Sequence, residues 1–231
     1  MSIEDAAIGH EYRYVKDPRR LTRSLLVLLW ISAAVGLAVG IAIWLFFPAL
    51  GLNEPGAQQV DPYESLPQAL GKLWLMSAFL LIAAANWMIG VASQVLFFVW
   101  VYRANKNSHG FGAEEMEFTP GWAVGWFFVP IVNLVAPCRM MQEMWRVSGN
   151  PRAWTAERIS WKIGVWWAAF LVTGTMAVAG MLVFKESDAL SGAAPLVSAI
   201  HTLLTISVVT GLSARQQKLV DGSQSASIIP T

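Results

Sequence analysis

The sequence predicts an all-α integral membrane four-helix bundle, made of two helical hairpins with a proline-broken segment between spans 2 and 3. Three observations carry that expectation. Of 231 residues, 55% are hydrophobic and only 13% are charged, roughly half the ~25% charge of an ordinary soluble domain. Four uncharged or nearly uncharged runs are each long enough to cross a bilayer. The lysines and arginines fall on one side of those runs and not the other.

The spans follow in order. Residues 25–47 are uncharged and end at Pro48; as a helix they reach about 34 Å, enough for the hydrocarbon core. Residues 73–102 are uncharged and longer than a membrane needs, so this helix must tilt or project. Residues 161–184 carry one charge, Lys162, at an edge where its stem can snorkel. Residues 195–214 form the last span, with Pro195 expected in the first turn, where a missing N–H costs little. Residues 1–24 read as a cytoplasmic segment, since four acidic residues and a long apolar run argue against a cleavable leader. Residues 25–214 then make one four-span membrane domain, and 215–231 a cytoplasmic tail, polar and disordered after Asp221. The twelve tryptophans suit a protein with two membrane–water boundaries.

Residues 119–148 decide the topology. From Phe118 to Cys138 the chain is uncharged, yet it contains Pro130, Asn133 and Pro137. If this segment does not cross and the N-terminus is inside, 14 lysines and arginines lie in the cytoplasm and only Lys72 and Lys185 outside. If it crosses, the tally becomes 8 against 8. The positive-inside rule favours the first arrangement. The expectation is a re-entrant or interfacial segment: Thr119 capping, Pro120 at the first helical position, a short helix over 120–129, and a return at Pro130–Pro137.

Beyond Pro137 the pattern becomes an amphipathic helix. Met140, Met141, Met144, Trp145 and Ser148 fall on one face; Arg139, Gln142, Glu143 and Arg146 fall on the other. "SGNP" is expected to stop it with glycine as C-cap. Such a helix either lies in the interface plane or packs its apolar face under the spans. Residues 49–71 and 105–118 read as loops.

Polar and small residues inside the spans are the remaining candidates. Ser32, Gly36 and Gly40 make a small-xxx-small face for close packing, within the bundle or in a dimer. Asn86, Gly90 and Ser93, with Gln94 beside them, share a stripe on the second span; Ser198, His201, Thr202 and Thr205 share another on the fourth. The two stripes are expected to face each other or a small hydrated cavity. Asn86, Gln94 and His201 then either line a ligand site or serve as interhelical hydrogen bonds. The absence of an acidic residue deep in any span weighs against ion-coupled transport.

Catalysis is not expected. The three histidines lie on different segments, the lone Cys138 has no base nearby in sequence, and no hydrolase, metalloprotease or nucleotide-binding motif appears. No metal, cofactor or nucleic-acid partner is expected.

"VYRANKNSHGFG", then "FTPGWAVGWFFVPIVNLVAPCRMMQEMWR", a Trp-rich span and a terminal "ARQQ" together resemble a bacterial membrane-protein family known only as domain of unknown function 4328. The series Pro120, Gly121, Trp122, Gly125, Trp126, Pro130, Asn133 and Pro137 is its most specific part. The resemblance implies a bacterial cytoplasmic membrane and about four spans, with no established activity. The functional expectation is a non-enzymatic scaffold, or a lipid- or partner-binding protein, possessing a cytoplasmic-side docking surface. Its candidate contact residues are Trp122, Trp126, Asn133, Arg139, Glu143, Trp145 and Arg146. The partners would be membrane lipid, another membrane protein or a second copy. The alternative is a small oligomeric transporter or channel gated by the broken segment.

Overall fold

A computed structural model describes residues 15–46, 66–182 and 188–226, and all regular structure among them is helical. The helices are α1 (Arg19–Phe46), α2 (Leu66–Gly110), α3 (Pro120–Gly125), α4 (Pro130–Asn133), α5 (Ala136–Val147), α6 (Trp161–Leu182) and α7 (Asp188–Ala226). Short 3-10 turns occupy Trp126–Phe128 and Pro151–Ala156. Helices α1, α2, α6 and α7 are long and apolar enough to cross a membrane. Their apolar residues run on all sides rather than in one stripe, as lipid contact requires.

α1 packs against α2 and α7, and α6 against α7. Side-chain bonds fix which ends meet. Arg19, opening α1, pairs with Asp221 near the end of α7 at 2.7 Å. Lys16, just before α1, exchanges two backbone bonds with the Asn107 side chain near the end of α2. Gln142 of α5 does the same with Ser160, just before α6. One end of the bundle therefore gathers the starts of α1 and α6, the ends of α2 and α7, and all of α5. The densest core lies there, around Trp100, Val101, Met141, Met144, Ile163 and Leu212. The opposite half of α2 is largely exposed, Trp74, Leu81 and Trp87 among its most exposed residues. An apolar surface of that extent belongs in a bilayer rather than in water.

Several expectations change. α2 does not end near residue 102: it runs to Gly110, with 45 residues and a length of about 68 Å, over twice the hydrocarbon thickness of ~30 Å. The residues expected to open a loop, Asn105 to Gly110, stay helical because Asn107 and Ser108 are buried among hydrogen-bond partners. The helix stops where Gly112 takes φ 80°, a left-handed conformation that favours glycine. Pro195 is not in a first turn, since α7 begins at Asp188 and carries it inside. Gly40 of α1 lies against that proline ring: a Cβ at Gly40 would sit 2.3 Å from Pro195 Cβ. The tail also stays helical to Ala226, held by Arg19 and Gln217 on Asp221. Leu66 to Gly71, expected as the end of a loop, already belong to α2; residues 1–14, the rest of the 49–71 connector and the end of the tail lie outside the described residues.

Candidate functional site

The segment between α2 and α6 is broken where proline removes a donor. Thr119 occupies the N-cap position of α3 in extended conformation, but its side chain makes no capping bond, so the expected threonine cap is absent. α3 lasts six residues and passes into the 3-10 turn. Val129 is then extended (φ −94°, ψ 110°) before Pro130, as the residue preceding a proline prefers. A second break at Val135 (φ −129°, ψ −45°) precedes Ala136-Pro137. Trp167 Nε1–H donates to the Leu134 carbonyl at 2.8 Å and ties the middle of the segment to α6.

Trp122 and Trp126 stack at 4.7 Å between centroids. Trp122, Phe128, Ile131, Leu134 and Val135 are exposed, Ile131 at 83%. Beside them a cavity of about 250 Å³ is lined by Phe118, Trp126, Ile131, Val135 and Ala136, with the Glu117–Arg139 ion pair at its rim. That pair spans 2.8 Å and both partners are exposed. Asn133 is half-buried at the end of α4, its Oδ1 without a partner among the described residues.

α5 takes the second of its two expected arrangements, with its apolar face packed under the long helices. Its expected polar face does not meet water freely, because the chain on either side folds over it. Glu143 is buried; its Oε1 accepts from the Glu117 N–H at 2.6 Å and its Oε2 from the Phe118 N–H at 3.3 Å. Gln142 is latched to Ser160. Arg146 lies over the Trp154 ring at 4.9 Å. Trp145 is covered by the Arg215 guanidinium at 4.0 Å. Met140, Met141 and Met144 are core residues. Glu143, Trp145 and Arg146 therefore hold α5 in place, and of the docking candidates on this helix only Arg139 faces outward. Gly149, expected as the C-cap, lies one residue beyond the actual C-cap, Ser148, and has no positive φ. A Cβ there would meet the ends of two flexible side chains, Arg215 Nη1 at 2.8 Å and Glu157 Oε2 at 3.0 Å. Burial pushes the Cys138 thiol above its ordinary value, as suits a structural cysteine.

Burial also pushes the Glu143 carboxyl up, outweighing the two backbone N–H groups that lower it; the Glu117 carboxylate adds to the rise and His109 opposes it. His109 Nε2 sits 3.0 Å from the Phe118 carbonyl. Glu143 and His109 thus clamp one loop from two helices.

Inside the spans, the two polar stripes reach one cavity of about 130 Å³ between α1, α2, α6 and α7. Gly90, Ser93 and Gln94 line it from α2, and His201, Thr202 and Thr205 from α7. Ser32 adds a wall from α1. Asn86 is not among the lining residues; its Oδ1 lies 3.8 Å from where a Gly36 Cβ would be. Asn133 is not there either.

A buried polar cluster escaped the sequence reading. Trp100 Nε1–H donates to Ser213 Oγ at 3.1 Å, and that hydroxyl pairs with Thr22 at 2.9 Å. Gln216 Nε2 donates to the Ala104 carbonyl at 2.8 Å. Asn105 is fully buried with both amide atoms unpartnered among the described residues. The segments "VYRANKNSHGFG" and "ARQQ" carry Ala104, Asn105 and Gln216 of this cluster, but nothing in the chain order says that they touch. Among the described residues no three histidine, cysteine or carboxylate side chains converge on a point.

Residues 70–215 match the family described as Domain of unknown function (DUF4328). No curated protein and no solved structure matches the chain.

Proposed function

This chain belongs to the DUF4328 family, and from its geometry we propose a non-enzymatic, four-span protein of the bacterial inner membrane with a docking surface on its cytoplasmic side. Both termini are cytoplasmic, the spans form two hairpins, and the segment from Pro120 to Val135 enters the inner leaflet and returns. The observation that carries this reading is a juxtaposition. A broken segment too short to cross exposes Trp122, Phe128, Ile131 and Val135 at the same bundle end as Arg20, Arg23, Arg103, Lys106, Arg158 and Lys162, all exposed. Apolar side chains seek hydrocarbon while the basic ring sits at anionic headgroups, each charge near the surface contributing about 1 kcal/mol.

The docking surface is smaller than the sequence implies. With the methionines of α5 buried, it consists of Trp122, Trp126, Ile131, Val135 and the rim pair Glu117–Arg139. Membrane lipid is the proposed occupant. The pore alternative needs Asn86, Asn133 and His201 on one path, and only His201 lines the intramembrane cavity; no observation favours it.

Native mass spectrometry of the protein from mixed phosphatidylglycerol and phosphatidylethanolamine membranes tests the proposal. Retained lipid is expected, and is expected to fall in the double variant Ile131→Asp, Arg139→Glu. A wild type that carries neither lipid nor a protein partner would overturn it.

A further inference from the structure

The cavity between the four long helices has a different character from the docking surface, and a different ligand follows from its chemistry. No Asp, Glu, Lys or Arg lines it. A charged ligand would lose its hydration with no counter-charge to replace it, so the occupant is uncharged. Phe97, Phe127, Trp166 and Phe170 supply flat aromatic surface. Phe97 meets Trp166 at 6.2 Å and Phe127 edge-on at 6.2 Å, closing the end of the cavity nearest α5. These walls favour a ring packed face or edge against them.

Four of its polar groups are already committed. Ser93, Thr202 and Thr205 donate their hydroxyl protons to carbonyls four residues back on their own helices. Trp166 donates its N–H to Thr205 at 3.0 Å. Ser32 and Gln94 make no such bond among the described residues but are not buried; the exception with a buried polar atom is His201. Its ring lies 5.8 Å from that of Phe170, and its Nε2 is buried with no partner among the described residues. A buried polar atom without a partner costs about 1–3 kcal/mol, so this nitrogen is the group a ligand would satisfy.

Size and access agree. The free space of about 130 Å³ is several times the ~30 Å³ share of one water molecule, and it accommodates a six-membered ring. α2 has little contact with α6, and a Cβ at Gly90 would meet nothing within 4 Å. That glycine is not required by any close neighbour, and it leaves the α2 side of the cavity open at a depth where the surroundings are lipid.

We propose that this cavity binds the head group of an uncharged, lipid-soluble ring compound bearing a hydrogen-bonding oxygen, a quinone or quinol, with His201 Nε2 as its polar anchor. A neutral imidazole can place either a donor or an acceptor at Nε2. One residue therefore serves the carbonyl of a quinone or the hydroxyl of a quinol. An acyl chain filling the same space would leave Nε2 unpaired.

Decylubiquinone is the probe, titrated against the purified full-length protein in lipid nanodiscs while tryptophan quenching is followed. The wild type is expected to show saturable quenching. His201→Leu is expected to weaken it by roughly three- to tenfold, the worth of one neutral hydrogen bond. Gly90→Leu, which fills open space, is expected to abolish the saturable phase, whereas Trp74→Phe, exposed on the far half of α2 and lining neither site, leaves affinity unchanged. Unfolding midpoints verify that each variant is folded; if one is not, Thr202→Leu fills the cavity from α7 with the same expectation. Quenching that never saturates in the wild type, or saturation unchanged in the folded cavity variants, overturns the proposal. An experimental structure holding only water or an acyl chain in the cavity with the quinone present would also overturn it. Lipid retention at the docking surface is read separately, so either proposal can fail without the other.

Discussion

Glu143 is the residue whose chemistry extends furthest. It takes two backbone N–H groups from the loop before α3 while itself out of water, and its carboxyl holds a proton more tightly than an ordinary one of pKa 4.5. The native protein then binds more protons than the unfolded chain over the interval above 4.5. Unfolding free energy must fall as pH rises through that interval, and the contribution is complete only below it. The unfolding midpoint in detergent is expected to decline as pH is raised from the ordinary carboxylate range toward neutrality. In Glu143→Gln that slope should flatten; an unchanged slope would assign it to another group. Glu143→Ala leaves two N–H donors without their acceptor, each worth about 1–3 kcal/mol if buried, and the midpoint should drop at every pH.

At the scale of elements, the close approach of α1 to α7 is the least forgiving contact. A Cβ at Gly40 would lie 2.3 and 2.4 Å from Pro195 Cβ and Cγ, inside any tolerable distance, and a proline ring cannot turn aside. At Gly36 the nearest atom is Asn86 Oδ1 at 3.8 Å, an ordinary contact. Gly40→Val is therefore expected to destabilise by at least the ~1–3 kcal/mol of an overpacked core, while Gly36→Ala changes little; unfolding midpoints of the two variants decide the point. The small-xxx-small motif was readable from sequence, but its partner was not, because α1 and α7 are more than a hundred residues apart. α5 depends on two bonds between the Gln142 side chain and the Ser160 backbone. Gln142→Leu should loosen it from α6, raising the reactivity of Cys138, which is half-buried in the native fold. Maleimide labelling rates of the free thiol would show it.

For the whole molecule the strongest expectation is topological. Exposed basic residues crowd one end of the bundle, and Lys72 sits near the start of α2, at the other. In a Cys138→Ser background, Lys72→Cys should react with a membrane-impermeant maleimide on intact cells, and a C-terminal alkaline phosphatase fusion should be inactive. The opposite pair of results would invert the protein in the membrane. The four candidate spans were legible because run length and hydropathy are local properties that survive any tertiary arrangement. Their ends were not: α2 continues through Asn105 and α7 begins before Pro195, since polar side chains at helix ends are satisfied by neighbours the sequence does not reveal.

The sequence alone determined that long apolar helices exist, that the chain between the second and third breaks at Pro130 and Pro137, and that basic charge collects on one side of the bundle. Each of these is set by residues close together along the chain: missing N–H groups, uninterrupted apolar runs and the charges flanking them. Only the tertiary structure decided that the polar face of α5 is turned into contacts, that Gly149 lies against the Arg215 and Glu157 side chains, and that His201 meets Gly90 and Phe170 at one cavity. Those outcomes depend on which distant segment covers which face, and local pattern carries no record of that.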